Sequence, residues 1–586
     1  MDKRVIVFLI LSLGIILSYD FLIKQIGLAP PDLGREQSSA PISDRPASSG
    51  AAPDPSSSGA PSTRSNDALP PISSGSAHAV GEQIEEVSTN LYRARFTNRG
   101  GEIVGWELSR FSTSEKDGSK PIQLMYQEGK FKRPLSIQPG DVDKGRELGE
   151  ALYQVERDFT TLSPDHPVGH LTYTYRAPTG TVAVRKHLTF RYDSYLVDMA
   201  LSLEGIPGPF DVGLGTNFGV VEWGEGFIGL IGPASLVDEK LEKDVPDSQS
   251  DRQGEVHWLA LQDKYFISVL IPTGASSVTV KKEADKLVTA MAHYTGAGTG
   301  APLTFRLYAG PKEYDTLKAL NLGLEDTIDF GWFIYGSWSI VKAVAKPLFS
   351  VLRFLYDFTH NYGLSIILLT IAIKGLFVPL QYKSYKSMKQ MQEVQPKVVA
   401  LQAKFKDDRD RLNKELIKLY RDHKVNPVGG CLPMLLQTPV FVALFNILYM
   451  TIDLRQAPFF GWITDLSVQD PYYILPVIMG VSMIVQQKIM PTTMDPTQAK
   501  IMLILPAFMT LLFLTFPAGL VLYWLTNNVL TISQQFVTDR YVFKTSTPFF
   551  NSPSTPDAGE VVEGKPSKRA REKNPPSSES SSSAKS

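Results

Sequence analysis

Lys374 is the residue of this chain whose type and position bear most directly on chemistry. It is the one charged residue inside the apolar run 363–380. A cation at that depth usually faces a bundle interior or a water-filled cavity, where it can attract acidic or polar groups. It can also snorkel, because it lies six residues, or ~9 Å, from the end of the run that the loop charges place in the cytoplasm. The residues alone leave both interpretations open.

A polar stripe on the last apolar run could face this lysine. Its members are three or four residues apart, and so share one side of a helix: they are Tyr523, Asn527, Thr531 and Gln534 or Gln535. Further polar residues within neighbouring apolar runs are Gln437, Thr438, Asn446, Gln486 and Gln487. In lipid such groups need partners or water. Together with the cation they predict either a hydrated groove or a set of interhelical hydrogen bonds.

The chain lacks the residue patterns of the common transport and catalytic sites. The apolar runs between residues 363 and 537 contain no Asp or Glu, whereas proton- or sodium-coupled transport normally uses a carboxylate at membrane depth. No phosphate-binding GxxxxGK[ST] loop and no GxSxG elbow is present. The single cysteine, Cys431, excludes an internal disulfide, and the eight histidines show no metal-ligand spacing. We therefore predict a protein that is not an enzyme and uses no metal, nucleotide or other cofactor.

Six apolar runs could hold these residues in a membrane. The first, Val5 to Ile23, follows a basic start and could belong to a cleavable signal peptide. No small-x-small cleavage site follows Tyr19, so residues 1–23 predict an uncleaved signal anchor. The other five are residues 363–380, 431–451, 472–489, 501–516 and 519–537, each 16 to 21 residues long. These lengths suit helices that cross ~30 Å of hydrocarbon. The fold class that we predict is a polytopic α-helical membrane protein with a five-helix core at residues 363–537.

Loop charges orient these spans. Residues 381–430 carry twelve Lys or Arg against six Asp or Glu, and the tail after residue 538 carries eight Lys or Arg. By contrast, the loop at 452–471 has Arg455 against three aspartates. The positive-inside rule then places both termini in the cytoplasm and residues 24–362 on the exported side.

The exported part divides in two by composition. Residues 24–80 are dense in Pro, Ser, Gly and Ala and predict a disordered linker. From residue 81 apolar and polar residues alternate, as in Tyr92, Ala94 and Phe96. Period-2 runs separated by Gly and Pro turns predict a large antiparallel β-sandwich over residues 81–322.

Three flanking segments complete the domain plan. Residues 323–362 predict an amphipathic helix at the outer interface, with an apolar stripe that Lys342, Lys346 and Arg353 interrupt. Residues 381–430 predict a helical hairpin with Asp408 as a helix cap. That hairpin is either a solvated basic loop or a mobile element that contacts lipid head groups, ribosome or substrate. The tail at 538–586 predicts a disordered basic segment, which could contact ribosome or anionic lipid.

Several motifs in the C-terminal half resemble the YidC branch of the Oxa family of membrane insertases. The most specific is Lys424-Val-Asn-Pro-Val-Gly-Gly-Cys-Leu-Pro433. Supporting stretches are Leu454-Arg-Gln-Ala-Pro458, Gln469-Asp-Pro-Tyr-Tyr-Ile-Leu-Pro476, Met490-Pro-Thr-Thr493 and Phe516-Pro-Ala-Gly-Leu-Val-Leu-Tyr523. Together they cover residues 361–540 almost continuously. Gly310-Pro-Lys312 and Phe330-Gly-Trp332 resemble the end of the exported domain in Gram-negative members.

The resemblance implies an insertase of the bacterial inner membrane that acts on newly made membrane proteins, alone or with the Sec translocase. Family members use a polar groove that is open to cytoplasm and lipid, and an arginine sits in it. Lys374 takes the place of that arginine, while Thr370, Gln487, Tyr523 and Trp524 match other groove positions. A lysine keeps the charge but loses the planar fork that binds carboxylates in two places. The exported domain resembles the family's β-supersandwich, for which no site is implied.

Two other classes of function compete with an insertase. A small-solute transporter or channel would be favoured by a buried carboxylate or a repeat, and the sequence has neither. An envelope scaffold would bind partners through its β-domain and would need that domain for its activity. Removing residues 81–320 distinguishes a scaffold from an insertase, which should retain most of its activity in the five-span core.

Overall fold

The computed structural model divides into a β-rich part and a helical part. It describes residues 79, 81–113, 119–127, 131–221, 232–243, 245–296, 302–330, 332–333, 336–405, 408–423, 425, 432–489 and 504–542. The predicted anchor at 1–23, the linker up to residue 78 and the tail beyond residue 542 lie outside the described residues.

The β-rich part, which we call the β domain, comprises residues 79–330 and is built from antiparallel sheets. The strands, in chain order, are β1 (Ile84–Ser88), β2 (Tyr92–Thr97), β3 (Glu102–Ser112), β4 (Pro121–Gln123), β5 (Ile137–Pro139), β6 (Gln154–Arg157), β7 (Val168–Arg176), β8 (Ala183–Arg191), β9 (Leu196–Glu204), β10 (Phe210–Thr216), β11 (Gly232–Val237), β12 (Lys240–Glu242), β13 (Gln249–Gln253), β14 (Val256–Gln262), β15 (Phe266–Pro272), β16 (Ser277–Ala284), β17 (Leu287–Tyr294) and β18 (Leu303–Pro311). A two-stranded ladder of β19 (Trp332–Phe333) and β20 (Gly336–Ser337) follows the domain.

These strands form three sheets. One has nine strands in the order β12-β11-β14-β15-β18-β9-β8-β7-β6, one has five in the order β13-β16-β17-β10-β5, and one has four in the order β1-β2-β3-β4. The alternation in the sequence sets which side chains lie inside: Tyr92, Ala94 and Phe96 are fully buried. A period-2 pattern buries one face of each strand against the next layer.

The helices, in chain order, are α1 (Val142–Glu150), α2 (Tyr314–Ala319), α3 (Ser339–Thr359), α4 (Tyr362–Lys404), α5 (Arg409–Asp422), α6 (Leu432–Met450), α7 (Ile474–Ile489), α8 (Leu505–Phe513) and α9 (Ala518–Val537). A π-helical turn, Thr538–Val542, follows α9. In the part of the chain that the structure describes, α4 is the one helix long and apolar enough to cross a membrane by itself. In the helical part, α9 packs against both α4 and α7.

Lys186 is a buried cation inside the β domain. Its ammonium donates to the carbonyl oxygens of Gly100 (2.7 Å), Gly101 (3.1 Å) and Leu135 (2.7 Å). Both glycines have positive φ values, 71° and 59°, a conformation that glycine adopts readily. Burial lowers the pKa of Lys186 to about 8, and nearby Glu102 opposes that shift. The lysine therefore ties the β2–β3 turn to β8.

Helix α3 occupies part of the predicted interfacial segment 323–362. Its buried face comprises Val341, Ala345, Phe349 and Leu352, and Ile340, Phe354 and Phe358 are exposed. The basic residues that interrupt the apolar pattern have partners at the end of the β domain. Lys342 and Lys346 pair with Asp326 at 2.9 and 3.7 Å, and Arg353 pairs with Asp315. These ion pairs fasten α3 to the β domain.

A tight turn carries the chain from α3 into α4. His360 has a left-handed backbone conformation, with φ 51°, and ends α3. The side chain of Asn361 then accepts a hydrogen bond from the backbone N–H of Leu364 at 3.0 Å, which caps the start of α4. The rings of Tyr356 and Tyr362 stack across this turn with centroids 3.8 Å apart.

The segment 381–430 contains two antiparallel helical arms. The first is a continuation of α4, which runs without interruption through residue 380 to Lys404, and the second is α5. The Asp408 side chain accepts from the Arg411 N–H at 3.0 Å, as expected for a helix cap. A small core of Val394, Val398 and Val425, with Leu416 and Leu419 packed on it, holds the arms together.

The β domain contacts the segment that joins α6 to α7. The Arg455 guanidinium donates to the Ser112 carbonyl at 2.6 Å, and the Lys264 ammonium lies 3.8 Å from the centroid of the Tyr449 ring. These contacts join the β domain to the ends of helices that belong to the helical part.

Candidate functional site

Lys374 lies deep within α4 and is directed at α9. It follows the first residue of the helix by twelve positions, or ~18 Å along the axis. Its side chain is 8% exposed, and its ammonium donates to the Thr531 hydroxyl at 2.8 Å. Among the described residues no carboxylate pairs with it. The structure thus joins two residues that the sequence places in separate apolar runs.

Thr370 and Asn527 border this contact on its two helices. Thr370 is buried one turn before Lys374 and its hydroxyl donates to the Ile366 carbonyl at 2.6 Å. Asn527 lies one turn before Thr531, and its side-chain oxygen is 3.4 Å from the amide nitrogen of Gln437 on α6. The polar contacts around Lys374 therefore extend over α4, α9 and α6.

Tyr523 and Trp524 are held by other aromatic side chains. Tyr523 is 4% exposed, and its ring centroid is 6.2 Å from that of Phe441. Trp524 makes edge contacts with Phe441 and Phe513, at centroid distances of 5.0 and 4.8 Å. Phe441 and Phe513 cannot be recognised as site residues from the sequence, because an aromatic residue within an apolar run carries no signal that separates it from ordinary core.

Gln487 lies near the end of α7, and its side-chain oxygen is buried without a hydrogen-bond partner in the described part of the chain. No hydrogen bond joins Gln487 to Lys374 in that part. Two neighbouring polar residues instead link α9 to α7: Asn528 donates to the Ser482 hydroxyl at 2.9 Å, and Gln535 donates to the Ile489 carbonyl at 2.7 Å.

Polar residues of α9 therefore make hydrogen bonds to two neighbouring helices. Asn528 and Gln535 make interhelical hydrogen bonds to α7, whereas Thr531 receives the Lys374 ammonium from α4. All three contacts are interhelical hydrogen bonds, as the second interpretation of the polar residues expects, and the hydrated groove stays a prediction. Among the described residues no group of three or more His, Cys, Asp or Glu side chains could hold a metal ion.

Comparison with known proteins matches both parts of the chain. The family described as "60Kd inner membrane protein" matches residues 354–545, and the family described as "YidC periplasmic domain" matches residues 85–351. The periplasmic-domain match covers nearly all of the β domain and ends within α3, and the other match covers the remaining helices.

Curated relatives match over nearly the whole length. The "Membrane protein insertase YidC" of Geotalea daltonii is 37% identical over 91% of this chain and 98% of that protein. Those of Geotalea uraniireducens and Syntrophus aciditrophicus are 38% and 37% identical, over 91% and 92% of this chain and 98% and 99% of theirs. The chain therefore belongs to the YidC family of membrane protein insertases.

Proposed function

We propose that this protein inserts newly made membrane proteins into the bacterial inner membrane and helps multispanning ones to fold. The observation that carries the proposal is the buried Lys374 ammonium, which meets a hydroxyl and, among the described residues, no acid. A cation in such a position can still attract an acidic or polar segment. Its remaining N–H donors are the groups that would bind a substrate carboxylate or carbonyl.

The groove in this proposal is formed by α4, α6, α7 and α9. Lys374 supplies its charge, Thr370 and Asn527 its polar wall, Gln487 an acceptor near the cytoplasmic end, and Tyr523 with Trp524 its aromatic floor. When a hydrophilic segment enters the groove, these polar groups replace the water around it, whereas in the bilayer hydrocarbon would replace that water. The cost of moving it across the bilayer falls for that reason.

The proposal includes a topology and a set of partners. Six spans place both termini in the cytoplasm and residues 24–362 in the periplasm, as the loop charges favour. The substrates are nascent membrane proteins. The protein inserts them either alone or together with the Sec translocase, which is its second partner. The basic hairpin at 381–430 and the tail at 538–586 contact ribosome or anionic lipid. The protein is not an enzyme and acts without a nucleotide.

Removing residues 81–320 tests an insertase against an envelope scaffold. We expect the shortened protein, purified and reconstituted into liposomes, to insert a single-span substrate at most of the rate of the full chain. Insertion is measured by protease protection of the translocated tail. The deletion retains Asp326, the partner of Lys342 and Lys346, so α3 keeps one of its anchors. Loss of insertion by a shortened protein that retains helices α3 to α9, as judged by circular dichroism, would favour the scaffold.

A further inference from the structure

The single hydroxyl proton of Thr531 is already engaged in a hydrogen bond. Its own proton is donated to the Asn527 carbonyl at 2.6 Å. A hydroxyl has one proton and two lone pairs, so toward Lys374 the oxygen can only accept. The Lys374 ammonium donates to it at 2.8 Å. The oxygen is thus a fixed acceptor for a cation and cannot serve in the same way as a donor to an anion.

A lysine at this position could instead extend its ammonium toward water at the cytoplasmic end of the helix. Its side chain lies six residues, or ~9 Å, from the cytoplasmic end of its apolar run, and a flexible four-carbon stem can extend toward water. The structure instead has the ammonium buried against α9. An acceptor inside the helix bundle is what offsets the loss of hydration there.

We propose that Thr531 is a positioning residue that holds the Lys374 ammonium inside the bundle, at the depth where it acts on a translocating segment. This inference rests on the proposed function of Lys374 and adds the residue that fixes its place. Thr531 acts through Lys374 and need not touch the substrate itself. The acceptor role also sets a charge preference, because a bound hydroxyl with no free proton favours a cation over an anion beside it.

Helix α9 provides a matched control in Thr526. Its hydroxyl donates to the Leu522 carbonyl at 2.8 Å, the same bond to the preceding turn that Thr531 makes to Asn527. Thr526 has no charged residue as its partner among the described residues. Thr526→Val therefore removes an equivalent hydroxyl from the same helix and leaves Lys374 as it is.

The test compares substrates with acidic and neutral exported tails in full-length variants. We expect Thr531→Val to lower the ratio of acidic-tail to neutral-tail translocation by about threefold. This fold-change corresponds to the loss of one average interhelical hydrogen bond in a membrane. Thr531→Ser should keep the wild-type ratio, because it keeps the hydroxyl, and Thr526→Val should keep it as well. In a Lys374→Leu background Thr531→Val should change nothing further.

A second readout follows the lysine itself. We expect a water-soluble amine reagent added from the cytoplasmic side to label Lys374 faster in Thr531→Val than in wild type or Thr526→Val. The extent of labelling is measured by mass spectrometry of the proteolytic peptide that contains Lys374. A merely structural role for Thr531 would not shift labelling between these two valine variants.

The outcomes separate this inference from the proposed function. An unchanged ratio in Thr531→Val, alongside a reduced ratio in Lys374→Leu, would overturn the positioning role and leave the groove charge in place. A lowered ratio of acidic-tail to neutral-tail translocation in Thr531→Ser, at normal membrane levels, would also overturn the positioning role, even if the valine variant failed to fold. An unchanged ratio in Lys374→Leu would overturn the role proposed for the Lys374 charge and this inference together, whereas absence of all insertion activity in the wild-type protein would overturn the insertase function itself.

Discussion

Replacing Lys374 with glutamate is expected to reduce the translocation of acidic tails more than any other single change in the chain. The carboxylate would occupy a buried position where the Thr531 proton is already donated to Asn527, so it would lack that donor and would repel an acidic substrate. The wild-type lysine already carries a charge at this depth, so the added cost comes from the missing donor and the repulsion. A buried group left without a partner costs about 1–3 kcal/mol, so we expect a loss of roughly tenfold. Protease protection of an acidic-tailed substrate measures it.

Two controls accompany this substitution. Lys374→Arg should translocate acidic tails nearly as well as wild type, because the positive charge is retained and an arginine can donate to the same hydroxyl. Lys383→Glu makes the same charge change at an exposed position on α4, beyond the apolar run, and should have a small effect. If Lys374→Glu and Lys374→Leu were equally impaired, repulsion would play no part.

Replacing Lys186 with methionine is expected to destabilise the β domain by about 3 kcal/mol. Three buried carbonyls, those of Gly100, Gly101 and Leu135, would lose a donor, and each buried group left unpaired costs on the order of 1 kcal/mol or more. Methionine fills much of the volume of the lysine stem, so the loss is one of hydrogen bonds rather than packing. Urea unfolding of a soluble fragment spanning residues 79–330 gives the free energy of unfolding.

Lys240→Met is the matched control for that measurement. Lys240 is exposed at the start of β12, so its replacement should change the free energy of unfolding by less than about 0.5 kcal/mol. Equal effects of the two methionine substitutions would contradict the role assigned to Lys186.

Lys186 also shows how far the sequence pattern reaches. It has the same parity as Val184 and Leu188 in an alternating strand, and period 2 therefore places it inside with them. The structure buries all three. What the pattern could not provide is the turn at Gly100 and Gly101, which lies far away in the chain and supplies the acceptors. Sheet order and register bring these parts together, and neither can be read from local alternation.

The same limit applies to the candidate site. A cation in an apolar run and a polar stripe on another run could be recognised from the sequence, and so could the helix cap at Asp408. The pairing of Lys374 with Thr531 depends on the rotation of α4 against α9, which tertiary packing decides. The spacing of the polar stripe indicates Tyr523, and family resemblance alone indicates Trp524. Their contacts with Phe441 and Phe513 follow only from the packed structure.

Lys342, Lys346 and Arg353 have partners that the local sequence pattern does not predict. In the sequence they only interrupt an apolar stripe, and an interfacial helix would direct them toward lipid head groups. The structure pairs them with Asp326 and Asp315 at the end of the β domain. Asp315 lies in α2 and Asp326 in a short 3₁₀ helix, Leu324–Thr327. Helical periodicity within α3 does not predict that these elements approach it.

If the Lys374 charge draws acidic or polar segments into a groove, its removal should slow the translocation of acidic tails in particular. The translocation of a single-span substrate is compared between wild type and Lys374→Leu, with exported tails that differ only in acidic content, by protease protection. Removing a charge from a membrane helix favours its insertion, so the leucine variant should reach normal membrane levels. We expect Lys374→Leu to slow acidic tails and leave neutral tails nearly unchanged. Equal translocation by wild type and Lys374→Leu for every tail would contradict the account.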